Sequence, residues 1–274
     1  CCRHQPGHTG RLACRRKRER SVTVSVALVY PDLLGTYGDS GNAAILAQRL
    51  RWRGHDAQVL TVMSADPVPA GCELYVIGGG EDLPQDLAAG KLNASRALHS
   101  AVEGGAVVLA VCAGLQILGR SFVGQDGKRS NGLGLLDCVT VRSTSPRAIG
   151  EVVVRPAAEW ASAGLPTLTG FENHGAVTEL GTGARAIGAV QVGTGNKDGS
   201  VEGVVAGHVW GTYLHGPVLA RNPQLADLLL SWVVGPLSPL DDSEPDALHA
   251  ERCEHGPAER RRGARPAGRR LGLR

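Results

Sequence analysis

The sequence predicts an α/β fold: a mostly parallel central sheet with helices on both faces, plus an antiparallel extension. Three observations lead there. Val22–Tyr30 is a continuous apolar, β-branched run, the pattern of a buried strand, and Ala57–Val62, Glu73–Ile77 and Ala106–Val111 read as further strands. Helical spacing separates them, through Ile45, Leu46, Leu50 and Trp52 in Asn42–Arg53 and again across Leu92–Glu103. Beyond Asn131 the texture changes to short strand-like runs divided by Gly, Pro and Asn.

In chain order, Val22–Tyr30 opens the sheet and Asn42–Arg53 returns as a helix to the strand Ala57–Val62. Glu73–Ile77 is a third strand, and Leu92–Glu103 leads as a helix into Ala106–Val111. This alternation is that of parallel strands joined by helical crossovers. Leu135–Arg142, Gly150–Arg155, Ala184–Val192 and Val201–Val209 form the antiparallel part, and Asn222–Val234 is a closing helix. Neither a repeat nor a linker interrupts residues 21–240, so they read as one domain. Residues 1–20 and 241–274 lack both strand alternation and an apolar helical stripe. They read as disordered tails, basic and Arg-rich respectively, of the kind a misplaced start or a shifted reading frame would produce.

Charge supports that division. The chain's formal net charge of +3 is carried by the tails, whereas residues 21–240 hold more acidic than basic side chains. A mildly acidic domain argues against a nucleic-acid surface. No apolar run approaches the ~20 residues of a membrane span. Of the seven cysteines, only Cys72, Cys112 and Cys138 fall in the domain, at irregular spacing and without a CxxC pair. That pattern is neither a disulfide framework nor a zinc site, and it suits a reducing cytoplasm. No metal ligand set is expected.

The chemistry centres on Cys112. In Ala106–Gly119, AVVLAVCAGLQILG, an apolar strand runs into a cysteine and a short apolar helix begins at once. Small flanking residues allow a tight turn that presents the thiol at the carboxyl edge of the sheet, as in a nucleophile elbow, with Ala110 in place of the usual first glycine. Ligands of such sheets bind beyond the carboxyl ends of the strands. There the loop Gly78-Gly79-Gly80 can turn a backbone N–H into the site, and a second donor is the N–H of Ala113. Two such donors can hold an oxyanion. A thiol nucleophile also needs a proton shuttle. His215, in Gly211–Gly216 (GTYLHG), is the candidate, and His174 in FENHG is its rival.

These segments together resemble the class I (triad) glutamine amidotransferases, in the branch that includes cobyric acid synthase. Within it the blocks are most similar to the glutaminase subunits of lipid II isoglutaminyl synthases. The blocks are YPDLLGTYGDSGN (Tyr30–Asn42), IGGGEDLPQ (Ile77–Gln85), CAGLQILG (Cys112–Gly119), GLGLLD (Gly132–Asp137), GFENHG (Gly170–Gly175), and GTYLHGP with RNP (Gly211–Pro223). The resemblance implies a glutaminase in which Cys112 attacks the glutamine carboxamide and His215 moves the proton. It implies substrate contacts from Gly79, Ala113 and Gln116, and a carboxylate-binding arginine that falls on Arg147, with Arg142 as the neighbouring competitor.

The resemblance has one gap. Many triad amidotransferases place a glutamate two residues after the histidine, whereas His215 is followed by Gly216 and Pro217. The orienting carboxylate is then expected from elsewhere in the chain or from a partner subunit. A partner is implied on other grounds. Ammonia is useful only to a synthetase with an activated carboxylate, and this chain has no GxxxxGK[ST] phosphate loop. By resemblance the partner is a Mur-ligase-like synthetase that carries ATP and Mg and amidates the D-glutamate of lipid II, with no cofactor in this chain. The alternatives are a glutaminase for corrinoid amidation and a non-catalytic, DJ-1-like thiol-sensing or binding protein.

Overall fold

A computed structural model describes residues 23–124, 126–197 and 199–263. The first half of the chain follows the expected alternation. It runs β1 (Val24–Val29), α1 (Ser40–Trp52), β2 (Ala57–Val62), β3 (Leu74–Ile77), α2 (Asp82–Ser95), α3 (Ala97–Glu103), β4 (Val107–Val111) and α4 (Ala113–Leu118). The single helix expected over Leu92–Glu103 is two. Helix α2 begins ten residues earlier, because Pro84 lies in its first turn, where no intrahelical N–H is lost. It ends at Arg96, whose left-handed φ of 50° breaks the helix before α3.

The second half holds β5 (Ser121–Val123), β6 (Arg129–Asn131), β7 (Cys138–Arg142), β8 (Ala148–Pro156), α5 (Ala158–Ser162), β9 (Leu168–His174) and β10 (Ala176–Leu180). It continues through β11 (Gly188–Val192), β12 (Val201–Glu202), β13 (Val204–Ala206), β14 (Val209–Thr212), α6 (Val218–Arg221), α7 (Pro223–Val234) and α8 (Ser243–Gly263). The strand expected over Val201–Val209 is divided into three. Gly203 (φ 72°) breaks it once, and Gly207 (φ 55°) turns it into the β13–β14 hairpin.

The central sheet has six strands in the order β13-β14-β4-β3-β1-β2. Every pair is parallel except β13–β14 at one edge. Strands β3 and β4 are buried along their whole length, which explains their unbroken apolar sequence. Helix α1 packs with α6 and α7, and α2 packs with α3 and α4. Two four-stranded sheets, β10-β7-β5-β6 and β12-β11-β8-β9, form the extension, antiparallel except for the β5–β7 pair.

The register decides what meets at the carboxyl edge. Val29 pairs with Ile77, Ile77 with Ala110, and Val111 with Thr212. The segments that leave these strands, Tyr30–Asp39, Gly78–Gly80, Cys112 and Tyr213–His215, therefore emerge side by side.

The tail expected to be disordered from residue 241 is instead helical over Ser243–Gly263. It is held by polar contacts, not by an apolar stripe, and so left no periodic signal. Asp242 pairs with the buried Arg49 at 2.7 Å, and His249 Nδ1 bonds the Arg221 carbonyl at 2.9 Å. Residues 1–22 and 264–274, which include the basic N-terminal tail, lie outside the described residues.

Candidate active site

Cys112 sits at the junction of β4 and α4 with φ 51° and ψ −106°, a backbone conformation unfavourable for any residue with a Cβ. The junction is pinned from both sides. The Cys112 N–H donates to Thr212 O at 2.8 Å, and its carbonyl accepts from the Gln116 N–H at 3.1 Å. Gly114 is required by packing, since a Cβ there would lie 2.7 Å from the Ile77 carbonyl oxygen. The elbow read from the sequence is therefore a real strained turn, tied to the neighbouring β3 and β14.

His215 follows β14 and is fixed by two backbone hydrogen bonds with Phe171 of β9: N–H to O at 2.9 Å, and the reverse at 3.1 Å. Its Nδ1 lies 3.1 Å from Oδ2 of Asp39, which is fully buried. Asp39 precedes α1 but makes no side-chain cap to it. Its carboxylate instead faces the histidine and accepts the Gly79 N–H at 2.9 Å. With Nδ1 held by Asp39, Nε2 is left buried and without a hydrogen-bond partner. Burial pulls the imidazole pKa down. The Asp39 hydrogen bond and the nearby Cys112 sulfur outweigh it and raise the pKa to about 9.

Sequence reasoning missed Asp39. A carboxylate within hydrogen-bond distance of His215 is present in the same chain, 176 residues before the histidine. A mid-loop aspartate just before a helix reads as an ordinary cap, and only the failure of its side chain to cap separates it from one. Gly79 also differs from expectation. Its N–H is engaged by Asp39, and a Cβ there would lie 2.9 Å from His215 Cε1 and 3.2 Å from Asp39 Oδ2. Gly79 thus makes room for the histidine–carboxylate pair and is not the loop's donor to substrate. Gly80, beside it, lines the cleft with Cys112.

That cleft has a volume of about 280 Å³ and opens between the central sheet and the extension. Cys112, Glu81, Gln116, Arg142, Arg147 and His174 all face it. Arg147 is oriented by Asn173, with Nε to Oδ1 at 2.5 Å and Nη2 to the carbonyl at 3.0 Å. Gln116 is held in a buried chain: its Oε1 accepts from Gln85 at 2.9 Å and its Nε2 donates to Tyr213 at 3.4 Å. His174 stacks on Tyr213. Its Nδ1 contacts the Ala176 carbonyl at 3.1 Å, and its Nε2 lies 3.5 Å from Glu172. His215, unlike His174, combines a carboxylate within hydrogen-bond distance of Nδ1 with the Cys112 sulfur nearby. Among the described residues, no group of three His, Cys, Asp or Glu side chains could hold a metal ion.

Residues 25–223 match the CobB/CobQ-like glutamine amidotransferase domain. The chain belongs to this family. Its amidotransferase domain is 36% identical over 204 residues to the GatD subunit of a glutamine-hydrolysing lipid II isoglutaminyl synthase of Staphylococcus aureus, covering 73% of this chain and 79% of that one. The corresponding subunit of Streptococcus pneumoniae is 34% identical over 211 residues, covering 76% and 79%. A probable cobyric acid synthase of Methanoregula boonei is 36% identical over 172 residues, 60% of this chain but only 33% of that protein. A glutamine amidotransferase of Thermotoga maritima shares the fold, with a TM-score of 0.50 at 15% identity over 88% of this chain and 94% of that one. In this amidotransferase no helix of the described residues is long and apolar enough to cross a membrane.

Proposed function

We propose that this amidotransferase is the glutaminase subunit of a lipid II isoglutaminyl synthase. The observation that carries the proposal is the His215–Asp39 pair beside a strained Cys112, in a cleft that two arginines face. The likeness to the two GatD subunits supports the acceptor.

The Cys112 thiol gives its proton to His215 Nε2 as the sulfur attacks the side-chain carboxamide carbon (Cδ) of L-glutamine, whose α-carboxylate is held by the guanidinium of Arg147. Negative charge on the former carbonyl oxygen is met by the N–H groups of Ala113 and Gly80. The raised pKa of His215 lets Nε2 hold that proton at neutral pH. The imidazole passes it to the amide nitrogen as the C–N bond breaks, and ammonia leaves. Water then attacks the thioester and gives a proton to Nε2, the C–S bond breaks, and glutamate is released. Asp39 keeps the imidazole in the required tautomer throughout. Gln116 shapes the cleft wall against the substrate chain.

The ammonia needs an activated carboxylate. The partner in this proposal is a Mur-ligase-like synthetase that binds ATP and Mg, activates the D-glutamate of lipid II and converts it to D-isoglutamine in the cytoplasm. The test is co-purification of the chain with that synthetase, assayed for glutamine-dependent amidation of lipid II. Ammonia release without amidation of lipid II would leave the glutaminase and remove the acceptor. The corrinoid reading has less support, because the match to the cobyric acid synthase covers 60% of this chain, against 73% and 76% for the two GatD subunits.

A further inference from the structure

Tyr37 is not accounted for by this chemistry, yet it touches both halves of the site. Its half-buried ring lies on the His215 imidazole, with centroids 4.4 Å apart and planes tilted by 49°. Its hydroxyl accepts from Asn173 Nδ2 at 3.2 Å. The other end of the same amide, Oδ1, accepts from Arg147 Nε, and the Asn173 carbonyl accepts from Arg147 Nη2. The side chains form one continuous line: His215, Tyr37, Asn173, Arg147.

The chemistry of each link fixes the next. An amide with an acceptor on its nitrogen and a donor on its oxygen has only one sensible orientation. Arg147, which has only donors, requires the amide oxygen on its side, and the Tyr37 hydroxyl holds the amide there by accepting from the nitrogen at the other end. Two of the five guanidinium N–H groups are then engaged by Asn173, and those on Nη1 stay directed away from it for a carboxylate. Burial pushes the Tyr37 hydroxyl pKa upward, so it remains a neutral phenol across the working range. Strand β9 makes the arrangement rigid. Phe171 holds the His215 backbone, and Asn173, two residues on and on the same side of the strand, holds Arg147.

We infer that Tyr37 is a positioning residue that sets substrate affinity through Asn173 and Arg147 while its ring fixes His215. The inference rests on the glutaminase reading above.

The experiment measures kcat and KM for ammonia release from glutamine in Tyr37→Phe, Asn173→Ala and the double variant, each with the synthetase present. Each single substitution is expected to raise KM about three- to tenfold, the scale of one hydrogen bond, with kcat held within about twofold. The double variant is expected to be no worse than the worse single, because both changes cut the same line. Tyr37→Leu, which also removes the ring, is expected to lower kcat by about tenfold or more as His215 loses its position. A merely structural role would lower the melting temperature and leave KM alone. An unchanged KM, or single effects that multiply in the double variant, overturns the inference. A wild-type complex that releases no ammonia removes the glutaminase reading, and the inference with it. A wild-type complex that hydrolyses glutamine while the two substitutions act independently removes the inference alone.

Discussion

Asp39 Oδ2 and His215 Nδ1 lie 3.1 Å apart, although the two residues are separated by 176 positions in the chain. The contact supplies, within one polypeptide, the carboxylate that the proposed base would need. It also sets a sign for pH dependence. His215 has a folded-state pKa of about 9, above the ordinary 6.5. It therefore contributes stability that is full below about pH 6.5 and is lost as the pH rises through about 9. Asp39→Asn keeps the shape and removes the charge. The expected outcome is a fall in kcat of about two to four orders of magnitude, as for loss of an orienting carboxylate. The decline in melting temperature between pH 6.5 and 9 should flatten in the same variant. An Asp39→Asn chain with wild-type turnover would exclude this carboxylate.

Cys112 makes separable predictions for chemistry and for stability. Cys112→Ala should abolish ammonia release and block covalent labelling by a glutamine-mimicking diazo-ketone, read by intact mass. Cys112→Gly should be equally inactive but more stable than Cys112→Ala by about 1–2 kcal/mol. Both lose the sulfur, and only glycine relieves the φ of 51°. Chemical denaturation of the two variants measures the difference.

Arg147→Ala should raise KM for glutamine by about tenfold or more with a smaller change in kcat, the pattern for loss of a carboxylate clamp. Arg147→Lys should restore little, because a point charge cannot copy the fork that Asn173 orients. Arg142→Ala, at the end of β7 on the same cleft, should have the smaller effect of the two. The reverse ranking in steady-state kinetics would move the substrate contact to Arg142.

The C-terminal segment should matter for stability. Arg49 is buried and shared between Asp227 and Asp242, each at 2.7 Å. Asp242→Asn leaves Arg49 with one carboxylate, and an expected cost of about 1–3 kcal/mol by denaturant titration. The Arg49 hydrogen bond holds the Asp242 carboxyl below its ordinary pKa. That contribution is present above about pH 4 and is lost as the pH falls further. A chain ending at residue 240 should therefore show a shallower acid limb than the full chain.

Much of the fold was legible because its core strands are buried on both faces and must be continuously apolar. Leu74–Ile77 and Val107–Val111 carry that pattern throughout and Val24–Val29 over most of its length, whereas Ala57–Val62, AQVLTV, is a partly exposed edge strand. Helix α8 was hidden because its anchors, Asp242 and His249, are polar and pair with distant partners. Strand β9 was hidden because Phe171–His174 alternates with glutamate and asparagine that serve the site and its supports.

The sequence by itself determined the parallel sheet, the elbow at Cys112 and the candidate histidine at 215, since each depends on local pattern: apolar runs, small residues at a turn, a short motif. Only the tertiary structure decided that Asp39 meets His215, that Gly79 makes room for this pair while Gly80 lines the cleft, and that Asn173 and Tyr37 join Arg147 to His215. Those relationships arise where loops from separate strands converge at one sheet edge. Their distances are set by strand register, which no single segment encodes.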